Sequence, residues 1–169
     1  MKNVLLISSS PRKGGNSDSL CDAFAKGAEE AGNKVRKVRI ADKKIGYWSE
    51  SVEEDDAAEV LDQMRQADVL VLASPVYFYS ICGQLKTLID RCVAISSDLK
   101  NKEFYFLIAM ASNNRARLEG PVMAMQGFVD CCKGSEVKGK VLADSVYEKG
   151  DVEKTKFLKE AYELGKQVE

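Results

Sequence analysis

The chain predicts an α/β fold built on a parallel sheet, and three observations carry that reading. Short, continuously apolar runs at residues 4–7, 69–73 and 104–111 have the pattern of strands covered on both faces. Stretches with apolar residues at helical spacing separate them, and no repeat, linker or low-complexity segment interrupts the alternation. The polar loops at 8–17, 74–80 and 112–117 each follow such a run, so they emerge together at the carboxyl ends of the strands. Five strands alternating with about five helices, wound right-handed, place a ligand beyond those ends, at the topological switch point.

In order, the first strand (Val4, Leu5, Leu6, Ile7) leads through a Ser/Gly loop into a helix over 17–31. That helix carries Leu20, Phe24 and Ala28 on one face and is stopped by Gly32-Asn33. Residues 34–40 alternate Val35, Val38 and Ile40 with basic residues, as suits a strand nearer the sheet edge. Residues 41–56, with Tyr47 and Trp48, are the least regular; Trp48 suits either the core or a cover for a ligand or a second subunit. A helix over 57–66 (Ala58, Leu61, and Met64 or Arg65) precedes the strand 69–73 and the loop 74–79. A helix over 82–95, the strand 104–111 and a helix over 118–132 follow, the last with its first turn near Pro121. A strand over 138–147 and an amphipathic helix over 152–168 close the chain, which reads as one domain over residues 1–169.

Composition narrows the chemistry. An apolar fraction of 45% and a charged fraction of 30% suit a soluble globular protein, and a net charge of −1 gives no reason to expect nucleic acid or an anionic membrane. The longest apolar run is too short to span a bilayer and no secretory pattern stands at residues 1–10, so the expected location is cytoplasmic. Cys21, Cys82, Cys92, Cys131 and Cys132 form no C-x-x-C pair and read mostly as small core residues, with no metal site expected. Histidine is absent, which removes Ser-His-Asp and Cys-His nucleophiles and imidazole-held metals. Carboxylates, Lys, Tyr, Cys or a bound cofactor must supply any reaction.

The loop Ser8-Ser9-Ser10-Pro11-Arg12-Lys13-Gly14-Gly15-Asn16-Ser17 joins a buried strand to a helix amino terminus, where free N–H groups and the positive dipole end meet. Ser10 and Ser17 add hydroxyls, Asn16 an amide and Arg12 a guanidinium suited to phosphate oxygens. An ordinary βα turn would also use Gly, Ser and Asn. Neither G-x-G-x-x-G nor a glycine loop ending in Lys-Ser/Thr is present, so the cradle is of another type. Tyr77, Phe78 and Tyr79 cluster on the rim where an aromatic ring would lie, although Phe78 is equally suited to packing beneath the following helix. Arg115 and Arg117 suit either solvent or the 2′-phosphate of NADPH. Asp90 and Arg91 read as a structural pair or helix surface.

These residues carry a resemblance. Ser9-Ser10-Pro11-Arg12-Lys13-Gly14-Gly15-Asn16-Ser17 resembles the phosphate loop of the NADPH-dependent FMN reductase family, and Ser74-Pro75-Val76-Tyr77-Phe78 with Leu85-Lys86 and Ile89-Asp90-Arg91 its second signature. Val141 through Gly150-Asp151, and Ala161-Tyr162 through Gly165-Lys166, are similar to its last strand and helix. The resemblance implies a flavodoxin-like three-layer α/β/α sandwich with a five-stranded parallel sheet in the order 2-1-3-4-5, the arrangement of which flavodoxin is the stock example. It also implies bound FMN, its phosphate held by Ser10, Arg12, Asn16 and Ser17 and its ring by Pro75, Val76, Tyr77 and Phe78. Ser112, Asn113 and Asn114 occupy the third loop, where relatives often carry glycines. One branch, the iron–sulfur flavoproteins, has a compact cysteine cluster between the second strand and the helix before the third; residues 43–52 contain no cysteine, so no cluster is expected.

The implied activity is hydride transfer from NADPH or NADH through FMN to a quinone, a flavin or another small acceptor, with no catalytic side chain required. A homodimer or higher homo-oligomer is the implied assembly. The competing reading is a non-enzymatic FMN electron carrier for protein partners, against which the near-zero net charge argues. A phosphoacceptor receiver would want acids where Ser8, Ser9 and Ser74 stand, and no cysteine has Arg six positions on, as a cysteine phosphatase would.

Overall fold

A computed structural model describes residues 1–49 and 54–169; residues 50–53 of the irregular stretch lie outside the described residues. The strands are β1 (Asn3–Ser8), β2 (Lys34–Arg39), β3 (Val69–Tyr77), β4 (Ser80–Ile81), β5 (Glu103–Ala109) and β6 (Glu136–Ala143). The helices are α1 (Asn16–Glu30), α2 (Ala57–Gln66), α3 (Gly83–Arg91), α4 (Glu119–Asp130) and α5 (Phe157–Lys166). Five strands pair in parallel in the order β2-β1-β3-β5-β6, which is the expected 2-1-3-4-5 once the two-residue β4 is set aside.

Strand periodicity divides the core into two layers, because successive side chains point to opposite faces. Leu5, Ile7, Leu70, Leu72, Phe104 and Phe106 pack with α2, α3 and α4. Val4, Leu6, Val69, Val71, Tyr105 and Leu107 pack with α1 and α5. The helical stripe of α2 is Ala57, Val60, Leu61 and Met64; Ala58 is exposed, one position off the expected face.

The largest departure from the sequence reading is at 74–79. These residues do not form an open loop. Ser74 and Pro75 remain in register with Ile108 and Ala109 of β5, and Val76 and Tyr77 turn back to pair antiparallel with Ile81 and Ser80. The turn residues Phe78 and Tyr79 both have left-handed backbones, φ +47° and +64°. A two-residue hairpin with a type I′ turn needs positive φ at both central positions, normally supplied by Asn and Gly. Two aromatic residues therefore hide the turn from a reading of turn chemistry.

Candidate functional site

The carboxyl ends of β1, β3, β5 and β6 converge at one rim. A cleft of about 140 Å³ there is lined by Ser10, Arg12, Asn16, Ser17, Pro75, Val76 and Tyr77, all expected from sequence, together with Ala109, Ala111, Val146, Tyr147 and Lys149, which were not.

Its polar floor is the amino end of α1. Gly15, at the cap position, has no side chain with which to cap, so the first N–H groups of the helix keep no side-chain acceptor. Ser17 is 2% exposed and its Oγ has no hydrogen-bond partner. A buried, unpartnered hydroxyl costs free energy unless a ligand completes it. Ser10 Oγ lies 3.2 Å from both the N–H and the carbonyl of Arg12 and so shapes the loop. Arg12 Nη1 donates to the Tyr147 carbonyl at 3.3 Å, with its guanidinium carbon 5.9 Å from the Tyr147 ring centre. Lys149 adds a second cation, its Nζ about 3.2 Å from where a Cβ on Gly14 would sit.

Asn16, which lines the cleft, also bridges two loops. Its amide donates to the Glu148 carbonyl at 2.9 Å and accepts from the Val152 N–H at 3.2 Å. The side chain thereby ties the loop after β6 onto the loop after β1, and its amide nitrogen keeps a second hydrogen beyond these two bonds.

Behind the loop stands Asp18, which sequence reasoning missed. Its carboxylate accepts from Ser8 Oγ at 2.7 Å and from the Gly14 N–H at 2.8 Å, and it pairs with Lys37 at 2.7 Å and Arg39 at 2.8 Å. Burial alone would raise this carboxyl, but the hydrogen bonds from Lys37, Ser8 and Gly14 outweigh it and bring it down to about 2. Arg39 also reaches the Ser10 carbonyl at 3.3 Å. Two cations from the end of β2 thus neutralise an acid that would otherwise repel an anion at the same helix end.

The remaining expected residues separate. Phe78 is fully exposed, so it does not pack beneath the following helix, and with Ser112 it lines a second, adjoining cleft. Asn113 is exposed, and Asn114 caps a short helical turn by accepting from the Ala116 N–H at 3.2 Å; neither lines either cleft. Trp48 is 45% exposed and outside both cores. Asp90 and Arg91 do not pair with each other: Asp90 bonds Lys86, whereas buried Arg91 pairs with Asp55 at 2.5 Å and donates to the Gly46 carbonyl at 3.0 Å. Cys21, Cys82, Cys92 and Cys132 are buried. Burial pushes the Cys21 thiol well up and Cys92 and Cys132 to about 12 and 11, so these three thiols are not nucleophiles. No helix among the described residues is long and apolar enough to cross a membrane.

A doubly wound parallel sheet with helices on both faces, in the order β2-β1-β3-β5-β6, defines the flavodoxin-like class. The fold agrees with solved structures: an azoreductase from Bacillus anthracis superposes with a TM-score of 0.80 at 18% identity, covering 99% of this chain and all of that one. An NAD(P)H:quinone oxidoreductase from Methanothermobacter marburgensis gives 0.77 at 16% identity, covering 99% and 96%. The family model for NADPH-dependent FMN reductase matches residues 2–147, and the chain belongs to that family. Among curated relatives, an iron–sulfur flavoprotein from Archaeoglobus fulgidus is 40% identical over 54% of this chain and 45% of its own length. The putative NAD(P)H-dependent FMN-containing oxidoreductase YwqN of Bacillus subtilis is 24% identical over 83% of this chain and 84% of its own. The chain spans roughly half to under two thirds of the length of the first iron–sulfur flavoproteins it matches.

Proposed function

We propose that the chain binds FMN in the first cleft and catalyses hydride transfer from NADPH or NADH to a small acceptor such as a quinone or a flavin. The observation that carries this reading is the Ser17 hydroxyl, buried without a partner at the uncapped end of α1, in a cleft that Arg12 and Lys149 also line. A terminal phosphate fits that donor set: it accepts from the helix N–H groups and from Ser17, and it meets two cations. The family supports FMN over other phosphates, and the absence of histidine fits a reaction whose redox chemistry belongs to the cofactor.

In this reading Ser10 and Asp18 hold the loop open for the phosphate, while Ser17, Arg12 and Lys149 bind it. Pro75, Val76 and Tyr77, fixed in strand pairing, offer a rigid edge to the flavin ring. When bound, the flavin supplies the two-electron centre that takes hydride from the nicotinamide and hands it on. The chain's residues bind and orient, and none is required to move a proton. We also infer a homo-oligomer in which exposed Tyr47, Trp48 and Phe78 are candidates for cover, which sedimentation equilibrium would test.

The test is the absorbance spectrum of purified protein, with and without added FMN, followed by anaerobic NADPH and NADH. A flavin spectrum, saturable FMN binding and rapid bleaching are expected. A folded protein with no affinity for FMN overturns the site, and binding without bleaching by either nucleotide overturns the enzyme in favour of an electron carrier.

A further inference from the structure

The sheet ends at β2, which pairs with β1 and with no other strand among the described residues. The Lys34 N–H donates to the Lys2 carbonyl at 2.9 Å. Alternate residues of a parallel ladder bond the neighbour, so Lys34, Arg36 and Val38 turn their backbone groups to β1. The N–H and C=O groups of Val35 and Lys37, and the Arg39 N–H, therefore point away from the sheet. A row of such groups is a template for one more strand.

Charge decides which strand. β2 reads Lys34-Val35-Arg36-Lys37-Val38-Arg39, cations and valines with no acid. Lys37 and Arg39 are already neutralised, the first by Asp18 and Asp22 and the second by Asp18 and Asp42. Lys34 and Arg36 lie on the opposite face, the one that Val38 and Ile40 turn to the core beside α2. Both are exposed, and among the described residues neither has an ion-pair partner. Glu59, whose field reaches Arg36, is held by Lys43 at 2.6 Å. Beside the two cations a cavity of about 230 Å³ opens toward Asn3, Gln63 and Gln66, with room for side chains set against them.

The same charges close this edge to a second copy of the chain. Antiparallel pairing of β2 with itself about its centre would set Arg36 opposite Lys37 and Lys34 opposite Arg39. An acidic strand meets no such repulsion, so the edge discriminates by sign.

We propose that the outer edge of β2 receives an extended acidic segment of a partner protein as an added strand, with carboxylates at every second position set against Lys34 and Arg36. The backbone ladder holds the segment and the two cations select it. Alternation matters because the cations on the other face already have their acids. Lys34, Val35 and Arg36 do not line the cleft assigned to FMN, so cofactor binding serves as the control.

The test is an NMR titration of the full chain, FMN supplied, with a synthetic peptide of alternating Glu and Thr as long as β2. Amide signals of Val35, Lys37 and Arg39 should shift most and those of Arg36 and Val38, already bonded to β1, least. Binding should weaken with added salt. Lys34→Glu combined with Arg36→Glu should weaken the peptide about tenfold, through loss of two exposed attractions and gain of two repulsions, with FMN affinity unchanged. Only one set of peptide amides can face β2, so N-methylation at every Glu or at every Thr should abolish binding in one case and spare it in the other. Any other pattern overturns the proposal, as does a Glu and Thr peptide that leaves these signals in place. Equal binding by a peptide with its Glu residues in one block, or by alternating Lys and Thr, overturns it too. Sedimentation showing that Arg36→Glu abolishes self-association would give the edge to a second copy instead.

Discussion

The loop after β1 and the hairpin after β3 stand side by side on one rim and are held in opposite ways. The first is fixed from behind by a buried carboxylate, two cations from β2 and an amide clip to the next loop. The second is fixed from the side, by two strand pairs and one close approach to α4, and leaves its aromatic tips in solvent. An anion site has to be prearranged, since every donor must already point inward; a ring platform can remain open. The contrast predicts that damage behind the first loop abolishes cofactor binding, whereas damage beside the hairpin alters what else binds.

The largest effect should come from Asp18→Asn. It removes one of two carboxylate partners from Lys37 and from Arg39, which keep Asp22 and Asp42, and replaces the charged acceptor of the Gly14 N–H by a neutral one, so a loss of about 2 kcal/mol in urea unfolding is expected, with FMN affinity down by more than tenfold. The pH dependence has a defined sign. The Asp18 carboxyl sits at about 2 in the folded chain against 3.8 ordinarily, so its stabilisation is present above about pH 4 and is lost as pH falls toward 2. That loss amounts to roughly 2 kcal/mol. Asp55, lowered to about 2 by its hydrogen bond from Arg91 against the effect of burial, adds to the same window, so Asp18→Asn should flatten the acid limb only in part.

Next in size is Gly120→Ala. Its methyl group meets the Tyr79 carbonyl, and the shift should cost about 2 kcal/mol while FMN affinity changes less than in Asp18→Asn. If the two variants lose FMN equally, the proposed division of labour between loop and hairpin is wrong. Arg12→Ala and Lys149→Ala should each weaken FMN about tenfold at low salt with little effect on melting temperature. An unchanged affinity in both would remove the phosphate from this end of the cleft. The smallest effect is opposite in sign: Phe78→Gly should raise stability by about 1 kcal/mol by relieving the left-handed backbone.

Much of this was legible because it is local. Continuous apolar runs announce strands covered on both faces, and Ser10, Arg12 and Ser17 fall at the helix entrance that needs them. What sequence hides is contact between distant segments. Asp18 resembles an acid placed for a helix dipole until Lys37 and Arg39 arrive from β2. Lys149 and Tyr147 join the cleft through long-range contacts of their loop, among them those of Asn16 and Arg12. Arg91 looks like helix surface until Asp55 is folded against it. The hairpin was missed for a different reason: its turn breaks the residue preferences from which turns are recognised.

The Asn16 amide links two stretches of chain more than 130 positions apart, and α5 starts just beyond the second of them. Occupancy of the cradle should therefore be felt at the tail: amide protons around Val152, which does not line the cleft, ought to exchange more slowly with FMN present. In Asn16→Ala, whose backbone N–H is intact, the nucleotide should still attach, but that distant slowing should vanish.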